Sequence, residues 1–362
     1  MKQNYISILI TSKDLDKRVD VFITQKLKDL SRNRLQQLIT NGNLKINDKL
    51  ITQPSVKLKK LGKLILEIPK PKKYSLIPQN LELDIVYEDE HLIVLNKKAG
   101  TVVHPGSGNN ENTLVNGLLS HCKNLSGIGG VLRPGVVHRI DKMTSGLLVF
   151  AKDDITHNSL SEQFKRKSIK REYDLFTWNF LKNERGTIET NIERSKLNRQ
   201  KMAVAQPNSG KIAITQFWLI NSFDINEKIK ISYVKCKLFT GRTHQIRLHM
   251  SYIGNPLLGD RKYSRNNYHL QLTDNLGFFI TENFVKTERH ALHASKLGFY
   301  HPLKRKNLEF DSKFPADLLK LSNNLSNYSI SSRYCSYARN NLESETRFNN
   351  RNRNCPWRVF DI

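Results

Sequence analysis

The chain has 362 residues, enough for two domains with separate cores. It carries 59 Lys and Arg against 33 Asp and Glu, a formal net charge of +26. This excess favours a polyanionic partner, nucleic acid first, although a solvated lysine-rich surface would give the same count. Because we find neither an apolar run of the ~18 residues that a membrane span needs nor a signal peptide, we expect no membrane partner.

The cysteines and histidines indicate neither a disulfide framework nor a metal site. No cysteine belongs to a C-x-x-C pair, so we expect a reducing, cytoplasmic environment and no zinc ribbon. The histidine spacings H-x4-H and H-x2-H lack paired cysteines or an acidic ligand set, and contacts to RNA or backbone suit them better. The residues concerned are Cys122, Cys236, Cys335, Cys355, His244, His249, His290 and His293.

Residues 1–69 are predicted to form a small basic module. An amphipathic helix in "RVDVFITQKL" precedes a second in "SRNRLQQLITNG", with Ser31 as N-cap and Asn41-Gly42 as its end. Short strand patterns follow in "LKIND", "KLI", "VKLKK" and "LILEIP". Arg32 and Arg34 begin the second helix, where the helix dipole also favours an anion, so we expect both to bind RNA phosphates.

This helix, the "SRxxLQxLIxxGxLxINxK" pattern and the hairpin resemble the alpha-L RNA-binding module, which is named after a small-subunit ribosomal protein. The resemblance implies that the module binds RNA. An ordinary helical cap on the larger domain stays open as the alternative.

A proline- and lysine-rich linker is placed at residues 70–80, followed by a larger domain over 81–310. In that domain short apolar runs outnumber helices and do not strictly alternate with them, for example "HLIVLNK", "GLLVFAK" and "ISYVKCKLF". This pattern predicts an α+β fold with a largely antiparallel, mixed sheet. Residues 311–362 are predicted to be an extension that is disordered from about residue 321, because Asn and Arg replace Lys and the apolar periodicity fades.

Three distant segments of the larger domain contain candidate catalytic side chains. Asp141 lies between two cations in "VVHRIDKMTSGLLVFAK", just before a buried strand, and suits either a salt bridge or a nucleophile. Tyr173 in "KREYDLF" lies on a strand, where a core aromatic is the alternative. In "LFTGRTHQIRLHM", His244 and Arg247 are three residues apart on one helical face.

Together these segments resemble the RluA/RluD-type family of RNA pseudouridine synthases over about residues 16–305. "HRIDKMTSGLLVFAK" is similar to the family's HRLD-x-x-TSG-L signature, with Ile140 in place of leucine. "GRTHQIRLHM", "NPLLGDRKY", "RHALHASKLGFYHP", "YEDEHLIVLNKKAGTVVHPGSGN" and "RPGVVHR" match further motifs in the family's order.

The resemblance implies catalytic roles for three residues. Asp141 would be the nucleophile, Tyr173 the aromatic ring under the target base, and Arg247 the partner of Asp141, orienting it through both arms of the guanidinium fork. Arg139 would fill the space left by a flipped base or contact RNA. We also expect His138, Arg242 and His244 to bind RNA.

The implied reaction converts uridine to pseudouridine by breaking the C1′–N1 bond and joining the same uracil through C5. It involves no redox change, so we expect no cofactor and no metal. A uridine in a stem must first be flipped out, at a cost of a few kcal/mol. Whether the carboxylate attacks the sugar or the base stays open, and for Tyr173 we favour stacking over proton transfer.

The preferred substrate is large-subunit (23S) ribosomal RNA, because the basic module and the motifs resemble the ribosomal branch most. Transfer RNA is the alternative within the same family. Two alternatives come from other classes, a non-catalytic ribosome-assembly factor and an enzyme that hydrolyses an N-glycosidic bond. We expect a monomer.

Overall fold

The computed structural model describes residues 4–27, 32–68, 76–106, 109, 111–122, 124–128, 133–264, 267–272, 274–328 and 359–360. The chain divides into two compact units, Met1–Ser75 and Leu76–Ile362. The division falls within the segment predicted as a linker. No helix among the described residues is both long enough and apolar enough to cross a membrane.

The first unit packs two helices, α1 (Val19–Lys26) and α2 (Arg32–Thr40), against a four-stranded antiparallel sheet. The strands are β1 (Asn4–Ile10), β2 (Leu44–Ile46), β3 (Lys49–Ile51) and β4 (Gly62–Ile68), in the order β1-β4-β2-β3. Its core contains Phe22, Ile23, Leu35, Leu38 and Ile39.

Helix α2 ends where the sequence predicts, because Gly42 adopts φ +79° and Asn43 N–H donates to the Leu38 carbonyl at 3.0 Å. Strand β1 was not among the predicted elements. Ser31 and the side chains of Arg32 and Arg34 lie outside the described residues.

The second unit is built on one large sheet, which confirms the predicted α+β fold with a largely antiparallel, mixed sheet. Eleven strands belong to it within the described residues, with a main order β10-β9-β11-β12-β8-β13-β7-β6-β5. Strand β14 pairs with β13, and β15 pairs with β9. The strands are β5 (Ile85–Glu88), β6 (Leu92–Lys97), β7 (Ser145–Ala151), β8 (Lys170–Trp178), β9 (Arg185–Arg194), β10 (Met202–Val204), β11 (Lys211–Asp224), β12 (Lys230–Leu238), β13 (Leu292–His301), β14 (Lys306–Asp311) and β15 (Val359–Phe360).

Five α-helices accompany this sheet in the described residues: α3 (Leu114–His121), α4 (Asp154–Arg166), α5 (Gln245–Tyr252), α6 (Asn275–Ile280) and α7 (Ala316–Leu325). The apolar runs "HLIVLNK" and "GLLVFAK" form the neighbouring strands β6 and β7 at the centre of the core. Strand β7 also pairs in parallel with β13. The two backbones approach so closely that a Cβ on Gly146, which adopts φ +112°, would lie 2.2 Å from the Ala294 carbonyl oxygen.

The C-terminal boundary of this domain was predicted too early. Strand β14 ends at Asp311, and helix α7 continues to Leu325, beyond the predicted start of disorder at about residue 321. Leu318, Leu321 and Leu325 are fully buried in an apolar cluster with Phe176. This burial, rather than the Asn-rich composition, decides the local structure; residues 329–358 lie outside the described part.

Candidate active site

Asp141 lies in the loop that leads into β7, and a buried lysine holds the backbone of this loop. Lys97, at the end of β6, donates from its ammonium group to the carbonyls of Lys98 and Thr101, both at 2.9 Å, and of Lys142 at 2.8 Å. Burial and the nearby Arg289 lower the pKa of Lys97 to about 7, partly offset by Asp141. The residue that follows Asp141 is thus fixed through its carbonyl.

A buried arginine holds the same loop from the β13 side. Arg289 Nη1 donates to the carbonyls of Met143 at 2.7 Å and Leu292 at 2.9 Å, and its Nη2 donates to Ser145 Oγ at 2.9 Å. Its Nε donates to Asp317 Oδ2 at 2.9 Å. Because Asp317 lies on α7, this helix contributes to the support of the Asp141 loop.

The Asp141 carboxylate meets the guanidinium of Arg247 on α5. Arg247 Nη1 donates to Asp141 Oδ2 at 3.0 Å. The prediction that both arms of the Arg247 guanidinium contact Asp141 is wrong. The two-armed contact is made with Asp260 instead, with Nε–Oδ2 at 2.6 Å and Nη2–Oδ1 at 2.9 Å. Asp260 is fully buried and takes two arms, which leaves a single arm for Asp141.

The two carboxylates keep Arg247 charged inside the protein. Burial by itself would lower the pKa of Arg247, but the hydrogen bonds and charge of Asp260, together with Asp141, raise it above the usual value. Arg247 is therefore a fixed, permanently charged donor to Asp141.

His244 lies on the other side of the same carboxylate, with its Nε2 3.8 Å from Asp141 Oδ2. It adopts a left-handed backbone conformation, φ 54° and ψ 24°, a strained geometry for a non-glycine residue. Its Nδ1 lies 2.8 Å from the Tyr263 hydroxyl, which accepts from the Met202 backbone N–H at 2.8 Å. The Tyr263 proton is thus available to Nδ1, an arrangement that directs Nε2–H toward Asp141.

Burial favours the neutral forms of both members of this pair. It lowers the pKa of His244 and is the main cause that raises the pKa of Tyr263 to about 12. At neutral pH the pair is an uncharged imidazole and a protonated phenol.

Asp141 lines a small cleft of about 110 Å³ that is partly open to solvent. Tyr173, 6% exposed, lines the cleft together with Asp141, His244 and Arg247. The structure therefore brings together the three predicted catalytic residues from the loop before β7, from β8 and from α5.

Burial is the main cause that raises the pKa of Tyr173; Arg171 opposes this shift, and the negative charge of Asp141 adds a smaller increase. The phenol is therefore protonated at neutral pH. A protonated ring beside the carboxylate fits a stacking surface better than a base.

Comparison with known proteins identifies the chain. Residues 91–252 match the family model described as RNA pseudouridylate synthase, and residues 17–64 match the S4 domain. The ribosomal large subunit pseudouridine synthase D of Zymomonas mobilis is 43% identical over 86% of this chain and 94% of its own length. An uncharacterized RNA pseudouridine synthase of Bacillus subtilis is 38% identical over 89% of this chain and 98% of its own. The chain belongs to the RNA pseudouridine synthase family.

A solved structure shares the fold of this synthase. The protein titled Human RNA Pseudouridylate Synthase Domain Containing 1 superposes with a TM-score of 0.50 at 23% identity, covering 70% of this chain and 89% of the human chain. The identification of the family from the sequence and of the N-terminal RNA-binding module is confirmed.

Two of the predicted RNA-binding residues lie at the cleft of the synthase and are exposed. Arg139 lines it, with Nη1 3.2 Å from His104 Nε2; that ring's Nδ1 lies 2.9 Å from the Pro105 carbonyl. Arg242 also lines it, and its Nε donates to the Ile212 carbonyl at 3.0 Å. In both arginines this one contact leaves the other guanidinium N–H groups for a ligand.

His138 is placed differently from the prediction. It does not line the cleft, and its Nε2 accepts from the Val149 backbone N–H of β7 at 3.0 Å while its ring packs on Phe164. Burial lowers its pKa to about 3. His138 supports β7 as a neutral side chain whose Nε2 is already used by the Val149 N–H.

Besides Arg289 and Tyr263, sequence reasoning missed four side chains that shape the site: Lys97, Arg171, Gln245 and Asp260. Gln245 Oε1 accepts from Thr240 Oγ1 and the Arg242 N–H, and its Nε2 donates to the Ile214 carbonyl and Thr215 Oγ1, which fixes the turn before α5. The quoted segments "LNKKAG", "KREYDLF", "GRTHQIR" and "LLGD" contain all four. Their positions in the motifs are visible in the sequence, but their burial and partners are not.

Proposed function

We propose that this synthase isomerises specific uridines to pseudouridine in structured RNA, with large-subunit (23S) ribosomal RNA as its substrate. The observation that carries the proposal is the Asp141–Arg247 contact, 3.0 Å long, beside Tyr173 in a cleft. The ribosomal choice is supported by the relatives at 43% and 38% identity that are named ribosomal large subunit pseudouridine synthase D.

Each of the three side chains has one role in the proposed reaction. Asp141 attacks the flipped uridine and the C1′–N1 bond breaks. The uracil then rejoins C1′ through C5 and the bond to Asp141 breaks, while C5 loses its proton and N1 gains one from solvent. Tyr173 stacks on the base and keeps the detached ring in place. Arg247, held by Asp260, positions the Asp141 carboxylate.

The remaining cleft side chains and the N-terminal unit would bind the substrate. Arg139 occupies the space left by the flipped base, and Arg242 and His244 contact RNA at the cleft. The S4 domain adds affinity for RNA backbone. The enzyme would act as a monomer in the cytoplasm, where ribosomal RNA is assembled.

The proposal is tested with unmodified 23S ribosomal RNA transcribed in vitro with tritium at uracil C5. We expect tritium release without free uracil, and no release with Asp141→Asn. Free uracil would show hydrolysis instead. Tritium release from transfer RNA transcripts but not from 23S RNA would show that transfer RNA is the substrate. No release from either RNA would support a non-catalytic ribosome-assembly factor.

A further inference from the structure

Arg171, on β8, is a buried cation without a counter-ion in the described part of the chain. The residue is 7% exposed, and its Nε is buried with no hydrogen-bond partner. No described carboxylate or carbonyl lies within bonding distance of its guanidinium. Among the described residues, two other arginines are more than nine-tenths buried, Arg247 and Arg289, and each binds an aspartate.

The guanidinium of Arg171 is held in place by apolar and backbone surfaces. It lies over the ring of Phe164 on α4, with Cζ 5.3 Å from the centroid. On another side it packs against Gly241, where an added Cβ would lie 2.7 Å from Nη1. Neither surface supplies an anion, so the fork is positioned but its charge is not neutralised.

This cation faces the cleft of the proposed reaction. Arg171 and Tyr173 are two residues apart on β8, hence on one face of the strand, and both line the cleft with Asp141. The lining contains four arginines, Arg139, Arg171, Arg242 and Arg247, against a single aspartate that Arg247 already engages. The cleft therefore has positive charge left over for a ligand.

An unpaired buried guanidinium is costly. Burial lowers the pKa of Arg171, yet an arginine side chain does not lose its proton in proteins, so the desolvation cost persists in the free protein. An anion that presents two oxygens to the fork would remove this cost. A phosphodiester group has that geometry, whereas a uracil carbonyl offers one neutral oxygen.

We propose that Arg171 is the receptor for a backbone phosphate next to the target uridine. The inference rests on the proposed function for the identity of the polyanion. The phosphate enters the cleft with the flipped nucleotide, and Arg171 binds it through its fork. Asp141 and Tyr173 then receive the sugar and the base of the same nucleotide.

A purely structural role for Arg171 and a phosphate-binding role predict different effects on stability when its guanidinium is removed. If the stacking on Phe164 held α4 against the sheet, removal of the guanidinium would destabilise the protein. If the charge is unpaired until RNA binds, its replacement by an apolar side chain of similar length leaves stability unchanged or higher.

The test compares Arg171→Met with Arg166→Met as a matched control. Arg166 lies on α4, is 75% exposed and pairs with Glu162, so the control removes the same charge outside the cleft. Thermal unfolding is measured in sodium phosphate and in sodium chloride at equal ionic strength. Phosphate is expected to raise the melting temperature of the wild type and the control above that in chloride by more than that of Arg171→Met, because its general stabilising effect acts on all three proteins and binding to the fork on only two.

RNA affinity is measured on the 23S transcript over a range of salt concentrations. Arg171→Met should bind about tenfold to a hundredfold more weakly, with a salt slope reduced by about one, and melt no lower than the wild type. A lower melting temperature with wild-type phosphate and RNA binding would overturn the proposal, as would weaker RNA binding with an unchanged salt slope.

Arg171→Lys keeps the charge but loses the fork, and it is the test if Arg171→Met does not fold. We expect it to lose most of the phosphate effect, and full retention would again overturn the proposal. Because phosphate stabilisation is measured without RNA, its outcome is independent of whether the protein isomerises uridine.

Discussion

On the α5 side of the cleft Arg247 meets two carboxylates, whereas on the β8 side Arg171 meets none within the described residues. Both guanidinium groups are buried and both line the same cleft. The first is saturated by Asp260 and Asp141, so its task is to fix the position of a carboxylate. The second keeps its hydrogen-bonding capacity, so a ligand can use it. An arginine that is paired with internal acids thus positions them, whereas a buried arginine without such a partner can bind an anionic ligand.

The largest effect is expected for Asp141→Asn, which removes the carboxylate that Arg247 positions. Turnover should fall by more than about 10⁴-fold, because the attacking group is lost. Binding of the 23S transcript should stay near the wild-type value, since the amide fills the same volume. Tritium release and a filter-binding titration measure the two quantities, and residual turnover near the wild-type rate would exclude Asp141 as the nucleophile.

Arg247→Met should reduce both turnover and stability, in contrast to Arg171→Met. It leaves Asp260 buried without its partner, so we expect a loss of about 3–5 kcal/mol in the free energy of unfolding. Denaturant titration measures this loss. The double variant Arg247→Met with Asp260→Leu should recover part of the stability but no turnover. If the single variant is as stable as the wild type, the contrast between the two arginines does not hold.

Tyr173 lines the same cleft as these two arginines, and substitutions can separate the role of its ring from that of its hydroxyl. If stacking is its main contribution, Tyr173→Phe should retain more turnover than Tyr173→Leu, by about 5- to 150-fold, the range of ~1–3 kcal/mol for a base stacked on an aromatic ring. Single-turnover rates on the 23S transcript decide this. Equal losses in the two variants would assign the hydroxyl a role in the chemistry.

Lys97 shows a third way to hold a buried cation, with three backbone carbonyls instead of carboxylates. Its pKa is about 7 in the folded protein, against about 10.4 for an ordinary lysine, so the unfolded chain binds more protons between these values. The unfolding free energy therefore rises with pH in this window, by up to about 1.4 kcal/mol per pH unit.

Lys97→Met removes this contribution. The stability difference between wild type and Lys97→Met should grow in favour of the wild type from pH 7 to pH 9, as measured by denaturant titration at both pH values. Because both proteins contain the other titrating groups, the contributions of these groups cancel in the stability difference. A constant difference would mean that Lys97 keeps its ordinary pKa in the folded protein.

Much of the site could be anticipated from the sequence, because its residues lie in motifs that resemble those of a known family. The apolar runs predicted the buried strands β6 and β7, and the three-residue spacing placed Arg247 on a helix near His244. The family resemblance implied the contact between Arg247 and Asp141, residues that are 106 positions apart. Periodicity within either segment carries no information on such a pairing.

What could not be anticipated depends on tertiary burial. The sequence shows an arginine two residues before Tyr173, but not that its guanidinium is enclosed without an acid. It shows "LLGD", but not that Asp260 takes two arms of Arg247 and leaves one for Asp141. Helix α7 was missed because its Asn-rich composition hides three leucines on one face.

The contact between Asp317 and Arg289 has a consequence for shortened versions of this protein. A chain ending at Ser312 would keep every residue of the quoted motifs, including Asp141, Tyr173 and Arg247. It would lose the acid that neutralises Arg289, whose other arm grips the Met143 carbonyl two positions after Asp141. The presence of all motifs would therefore not ensure an intact site in such a fragment, because α7 supports, through Asp317 and Arg289, the loop that contains Asp141.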